Sequence, residues 1–314
     1  MLGCACPPCP VLKVVVLQSR RAPNSSVIFE ELQYSLRTKR TQSCKKGMAG
    51  GPSGGRCAAF TVVRDEPIFL ALWHRHYARA FDNCDLHVLH HVATADESAD
   101  GPFADALALF DASNVTRLVN SEFDPQWLGK IVSDKVAALL GTYHAALFAE
   151  ADEMLFATVG LKVYVDAFVD DASVRAVRCT GHELHHDFAA GEPPLDVMKP
   201  ILAQRRRWHH NPLYDKVLLT KMPLTWSLGF HTCEEEVPPP SEELRLLHLH
   251  KYDFQAYVAR HEARARYVHS ADAVAQGWNT HYRKSGPELV TQFMALPRPL
   301  EDVPQWVRDA LEGI

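Results

Sequence analysis

The chain has 314 residues, with 33 Lys and Arg against 38 Asp and Glu, for a formal net charge of −5. That sign argues against a general electrostatic grip on nucleic acid. The apolar share, 47%, is that of an ordinary globular chain long enough to bury one large core.

Residues 1–55 differ from the rest. They hold Pro- and Gly-rich stretches, a basic run from Arg37 to Lys46 and the sequence G-M-A-G-G-P-S-G-G, so they read as a linker or disordered segment with Met48 near the start of the folded part. The apolar run Val11 to Leu17 is interrupted by Lys13 and falls far short of the ~20 residues a membrane span needs. Its charges, Arg20 and Arg21, follow it rather than precede it, unlike a signal peptide, so no transmembrane segment is expected. Three of the eight cysteines crowd the first nine residues, and no second Cys/His cluster follows at zinc-finger spacing. Reduced thiols and a cytoplasmic setting are the expectation.

After Arg56 the pattern becomes regular. Cys57 to Val63 is a short apolar, β-prone run. Pro67 opens a helix expected to run to about Ala80. Asp85 to His90 predicts a second strand, Phe103 to Phe110 a helix and Val115 to Val119 a third strand. Gln126 to Leu140 is the clearest helix, with Trp127, Leu128, Ile131, Val132, Val136, Leu139 and Leu140 on one face. Tyr143 to Phe148 predicts a fourth strand, Leu161 to Val169 a helix and Val174 to Cys179 a fifth strand. This alternation predicts an α/β fold, a Rossmann-like, mostly parallel sheet with helices on both faces. Such sheets bind ligands at the carboxyl ends of their strands, which directs attention to the residues after Val63, His90 and Phe148.

Acidic groups stand at those places: Asp65 and Glu66, Asp96 and Glu97, and the run Glu150-Ala151-Asp152-Glu153. Carboxylates gathered at one edge repel each other unless a cation or donor groups intervene. Glu150 and Asp152, two apart in an extended segment, share a side and suit a hard divalent ion, Mn²⁺ or Mg²⁺. Downstream, His182-Glu183-Leu184-His185-His186 fits the zinc-protease motif H-E-x-x-H, which works only on a helix. Gly181 before it and Pro193-Pro194 after it leave little room for one, so a metalloprotease is the weaker alternative. Arg205-Arg206-Arg207 reads as a solvated helix face that lends at most one or two forks to phosphate.

The segment F-A-E-A-D-E-M-L (148–155), at the end of an apolar strand, resembles the D-x-D-E signature of family 2-like glycosyltransferases with the GT-A fold. F-T-V-V-R-D-E-P-I-F-L-A-L-W (60–73) resembles their first strand and acidic loop, and 214–231 and 247–254 are similar to their downstream blocks. The resemblance implies a GT-A-like domain over 56–265 with a helical C-terminal extension over 266–314, broken by Pro297, Pro299 and Pro304. It implies an enzyme that moves a sugar from a nucleoside diphosphate sugar to a carbohydrate or other hydroxyl acceptor, with inversion. Asp65, Glu66 and Asp96 would meet the nucleotide, and Lys216 its phosphates. Asp152 would hold the ion with Glu150, where relatives often have Asp. Base candidates are Glu183, Asp187 and His231, and His231 is also a candidate metal ligand; His250 and Asp253 would close the site. The departure at Glu150 also permits a catalytically inactive binding protein of the same fold.

Overall fold

The computed structural model describes residues 56–196, 199–295 and 299–314; the expected linker at 1–55 and Pro297 lie outside them. The chain runs β1 (Cys57–Val63), α1 (Pro67–Tyr77), β2 (Leu86–Val92), α2 (Gly101–Leu107), β3 (Val115–Val119), α3 (Pro125–Leu140) and β4 (Ala145–Phe148). Then come β5 (Glu153–Ala157), α4 (Leu161–Asp170), β6 (Ala176–Arg178), β7 (Thr180–His185), α5 (Ile201–Gln204), β8 (Arg207–His210), β9 (Val217–Thr220) and β10 (Leu244–Lys251). The last part holds α6 (Phe254–Arg264), α7 (Ala271–Ala275), α8 (Pro287–Met294), β11 (Glu301–Asp302) and α9 (Gln305–Ala310).

Among the described residues the strands form two sheets. The first has the order β3-β2-β1-β4-β9-β6, and β3, β2, β1 and β4 run parallel. This is the α/β architecture expected from the alternation of strands and helices. β1 is almost wholly buried, as its unbroken apolar sequence requires of a strand covered on both faces. α3 starts on Asp124, whose carboxylate accepts from the Gln126 and Trp127 amides, with Pro125 in its first turn. It buries Leu128, Val132, Val136 and Leu139, the face marked by its periodicity. Each large apolar side chain buried this way contributes about 1.5–3 kcal/mol.

Strand order reverses between β1 and β4: β2 and β3 build to one side of β1, whereas β4 opens the other. That is the switch point where a crevice forms beyond the carboxyl ends of an open sheet. Beyond β4 the chain turns through Glu150–Asp152 and enters the second sheet as β5. That sheet has the order β11-β8-β7-β10-β5, with β10 parallel to β7 and antiparallel to β5. The acidic run is thus the seam between the sheets. α1 clamps it: the Tyr77 hydroxyl donates to the Glu153 carbonyl (3.1 Å) and accepts from the Leu155 amide (3.0 Å). His76 Nε2 meets the Leu155 carbonyl at 2.6 Å.

Two expectations are corrected here. Arg205–Arg207 is no helix face: Arg205 follows the short α5 and is fully buried, its guanidinium 2.9 Å from Asp253, and Arg207 begins β8. The H-E-x-x-H segment runs along β7 and ends just past it, so its two histidines are spaced about 13 Å apart along extended chain rather than one helical turn. His182 stacks on Trp208 and His186 on Phe188, which removes the helical zinc-protease reading. The tail is helical but also contributes β11, paired with Arg207 and Trp208, and buries Val303, Val307, Leu311 and Ile314 in the main core.

Candidate active site

The crevice at the switch point is lined by Val63 at the end of β1 and Glu66 beyond it, Glu150 and Asp152 after β4, Arg260 and Arg264 from α6, and Tyr267 and Tyr282. Among the described residues, two of the three non-glycine residues at positive φ, Asp65 (48°) and Phe230 (60°), lie at or beside it. Such backbone strain concentrates at functional sites.

Glu66 is the anchor on one wall. Its carboxylate takes Arg260 in a two-pronged pair (2.8 and 2.7 Å) and Arg264 at 2.7 Å. Arg260 and Arg264 are four apart, so α6 presents both from one face. A further Arg260 nitrogen reaches Asp152. Burial would raise the Glu66 carboxyl, but the two arginines hold it below its ordinary value. Asp152 behaves alike: burial is outweighed by Arg260 and His248, and its carboxyl sits well below the usual range.

The other wall is organised by Lys216, buried just ahead of β9, with its ammonium 2.7 Å from Glu150 and 2.6 Å from Glu153. The Glu150 amide in turn donates to Glu153 at 2.9 Å. Burial raises the Glu153 carboxyl, while Lys216 pulls it the other way. Lys216, expected at phosphate, and Glu150, expected at a metal ion, thus meet each other in this structure.

β10 brings histidine to the seam. In register, His248 lies between Glu153 of β5 and Glu183 of β7. Its Nε2 is 3.3 Å from Asp152 and its Nδ1 3.5 Å from Glu183. Burial alone would lower its pKa, but the two carboxylates carry it up to about 9. Burial and His248 keep His250 well below the ordinary value. Asp152, His248 and His250 bring one donor atom each within 4.8 Å of one another.

The remaining expected residues scatter. Asp65 sits on the turn after β1, its carboxyl raised by burial and by Asp100, Glu66 and Glu97. Asp96 is exposed on the loop after β2, which Arg117 ties through the Thr94, Ala95 and Glu97 carbonyls. Asp187 is buried 3.9 Å from Arg207, outside the residues that line the crevice. Asp253 caps α6 and pairs with Arg205. His231 Nδ1 donates to the Leu213 carbonyl at 2.6 Å, which leaves Nε2 as the unprotonated nitrogen of the neutral ring. Burial and Lys216 lower its pKa. Gly229 makes room for that ring: a Cβ there would lie 2.9 Å from His231 Nε2, and its φ of +72° is one glycine adopts freely.

His248, Arg260 and Arg264 are the site residues that sequence reasoning passed over. The alternation L-H-L-H carried a signal for the first, since period 2 places both histidines of a strand on one side. The i, i+4 arginines carried none, because that spacing also describes a solvated helix face.

No protein-family model matches the sequence, and no curated protein matches it. Among solved structures the chain is similar to the mannosyltransferase PcManGT from Pyrobaculum calidifontis, determined with GDP-Man and Mn²⁺: 13% identity, TM-score 0.35, over 86% of this chain and 77% of that one. It is also similar to the mannosyltransferase Ktr4p from S. cerevisiae at 10% identity and TM-score 0.24, over 56% of this chain. It spans only 54% of the length of Ktr4p.

Proposed function

We propose that this chain is a metal-dependent glycosyltransferase of GT-A type that moves a sugar from a nucleoside diphosphate sugar to an acceptor hydroxyl. The observation that carries the reading is the switch-point crevice, where Asp152 is grouped with two histidines and faced by two arginines. One carboxylate and two imidazoles form a donor set that fits a divalent transition ion, so Mn²⁺ suits it better than Mg²⁺. Asp152, His248 and His250 would hold that ion, which would neutralise charge on the departing diphosphate. Glu150 stays with Lys216 and supports the wall.

Arg260 and Arg264 have the planar forks that suit phosphate oxygens. Their charge is balanced by Glu66 and Asp152. A diphosphate entering between them takes over that balance and frees Asp152. Tyr267 and Tyr282 also line the crevice, with Arg64 and Arg264 over their rings. The acceptor oxygen attacks the anomeric carbon as the carbon–oxygen bond to the diphosphate breaks, with inversion. His231 Nε2 takes the hydroxyl proton.

The contact of Arg260 with Asp152 also favours a second reading, in which the chain binds a sugar nucleotide without turning it over. Thermal shifts and transfer assays with a panel of nucleoside diphosphates and their sugars, with and without Mn²⁺, separate the two. A ligand at 100 times its Kd stabilises the native state by about 2.7 kcal/mol. We expect one nucleotide to raise Tm with Mn²⁺, sugar transfer from its donor, and loss of both metal effects in Asp152→Asn. A Tm shift without transfer or hydrolysis leaves the binding protein. Undiminished metal-dependent transfer in Asp152→Asn overturns the ion assignment.

A further inference from the structure

β7 and β8 build a second cluster that the proposed transfer does not use. Glu183 and His185 are two apart on β7 and share one side of the strand. The antiparallel register sets Glu183 directly opposite His209 of β8. His185 Nε2 is 2.7 Å from His209 Nδ1 and 3.7 Å from Glu183 Oε2. One donor atom from each lies within 4.8 Å of the others. Ligand atoms about 2.1 Å from a tetrahedral zinc ion lie roughly 3.4 Å apart, so small side-chain rotations bring these three into range.

We propose that Glu183, His185 and His209 form a zinc site, separate from the Asp152 group, that pins β7 to β8. Two nitrogens facing each other at 2.7 Å must share a proton, and a metal ion in its place satisfies both as acceptors. His185 is fully buried, so the facing pair of ring nitrogens is shielded from water on that side. His209 is only half-buried, which gives the ion a way in and leaves its fourth position open to water. Glu183 would then serve two neighbours, one oxygen on the ion and the other 3.5 Å from His248. The sequence H-E-L-H thus keeps a zinc chemistry, with i, i+2 spacing on a strand in place of i, i+4 spacing on a helix.

The test is calorimetric titration of the full chain with Zn²⁺ alone, with metal content measured after dialysis, for wild type, His209→Ala, His209→Cys and Asp152→Asn. We expect His209→Ala to lose one equivalent that wild type and Asp152→Asn both bind. His209→Cys, which restores a zinc ligand, should regain it. Metal-free melting curves check that His209→Ala is folded. Equal zinc equivalents in wild type and folded His209→Ala overturn the proposal, as does loss of the same equivalent in Asp152→Asn alone. Because the probe is zinc without nucleotide, failure here leaves the transfer reading standing, and failure of transfer leaves this one.

Discussion

Asp152, His248 and His250 on one hand, and Glu183, His185 and His209 on the other, are two sets of one carboxylate and two histidines brought together at the second sheet. They differ in what surrounds them. The first faces Arg260, and its His248 is carried up to about 9 by Asp152 and Glu183 against the effect of burial. In the second, His185 and His209 stack on each other, and burial, with His209 and Lys251 adding to it, pushes His185 down to about 3 although Glu183 opposes it. Donor identity is the same; local charge differs. The inner set lies against the Arg260 guanidinium, so it suits an ion that arrives with an anionic partner. The outer set holds neutral imidazoles and suits an ion bound for its own sake.

The largest effect is expected from His231, which belongs to the inner side through its wall but to neither donor set. Its Nδ1–H is fixed on the Leu213 carbonyl. His231→Gln should lower kcat by about 10²–10⁴-fold, the usual contribution of a positioned base. Mn²⁺-dependent nucleotide binding, read by thermal shift, should survive. Loss of that binding instead would move His231 into the ion's surroundings and blur the division between wall and donor set.

A smaller effect separates charged from neutral surroundings directly. Lys216→Met leaves Glu150 and Glu153 together without their cation at a buried seam. Breaking a buried pair from one side costs about 3–5 kcal/mol. Metal-free His209→Ala removes a half-buried neutral ring and should cost under about 1.5 kcal/mol. Urea unfolding of both variants checks the gap. Equal losses would mean that the inner network is no more dependent on paired charge than the outer one.

Much of the first sheet was legible in the sequence because its signals are local. The apolar run at Cys57–Val63 and the stripe of α3 needed only their own residues to be read. The acidic run was legible as the end of β4, and Asp152 does face the crevice. The second sheet was not, because its polar strands are buried by partners far away in sequence. Arg205 is buried by Asp253, 48 residues on, and a run of three arginines gives no hint of it. Lys216 read as a phosphate group because its partners lie 66 and 63 residues upstream. H-E-L-H-H fits the spacing of a helix motif, and the pairing with β8 and β10 that makes it a strand is long-range and invisible in the sequence.

The smallest expected effect carries the neutral pattern of the outer set into the first sheet. Burial, with Lys135 adding to it, lowers His87 of β2 to about 4, and its Nε2 is buried without a hydrogen-bond partner. Unfolded, such a ring titrates near 6.5. Between these values the unfolded chain binds more protons, so stability rises with pH across the window and is lost as pH falls from 6.5 towards 4. One group accounts for at most about 1.4 kcal/mol per pH unit there. His76, lowered to about 4 by burial despite its bond to the Leu155 carbonyl, adds the same sign. His87→Leu removes the titration and leaves no donor unsatisfied. Its melting temperature should therefore match or exceed that of wild type at pH 7 and fall less steeply on acidification. A slope as steep as that of wild type would mean that His87 is solvated in the folded chain, and that the neutral pattern stops at the second sheet.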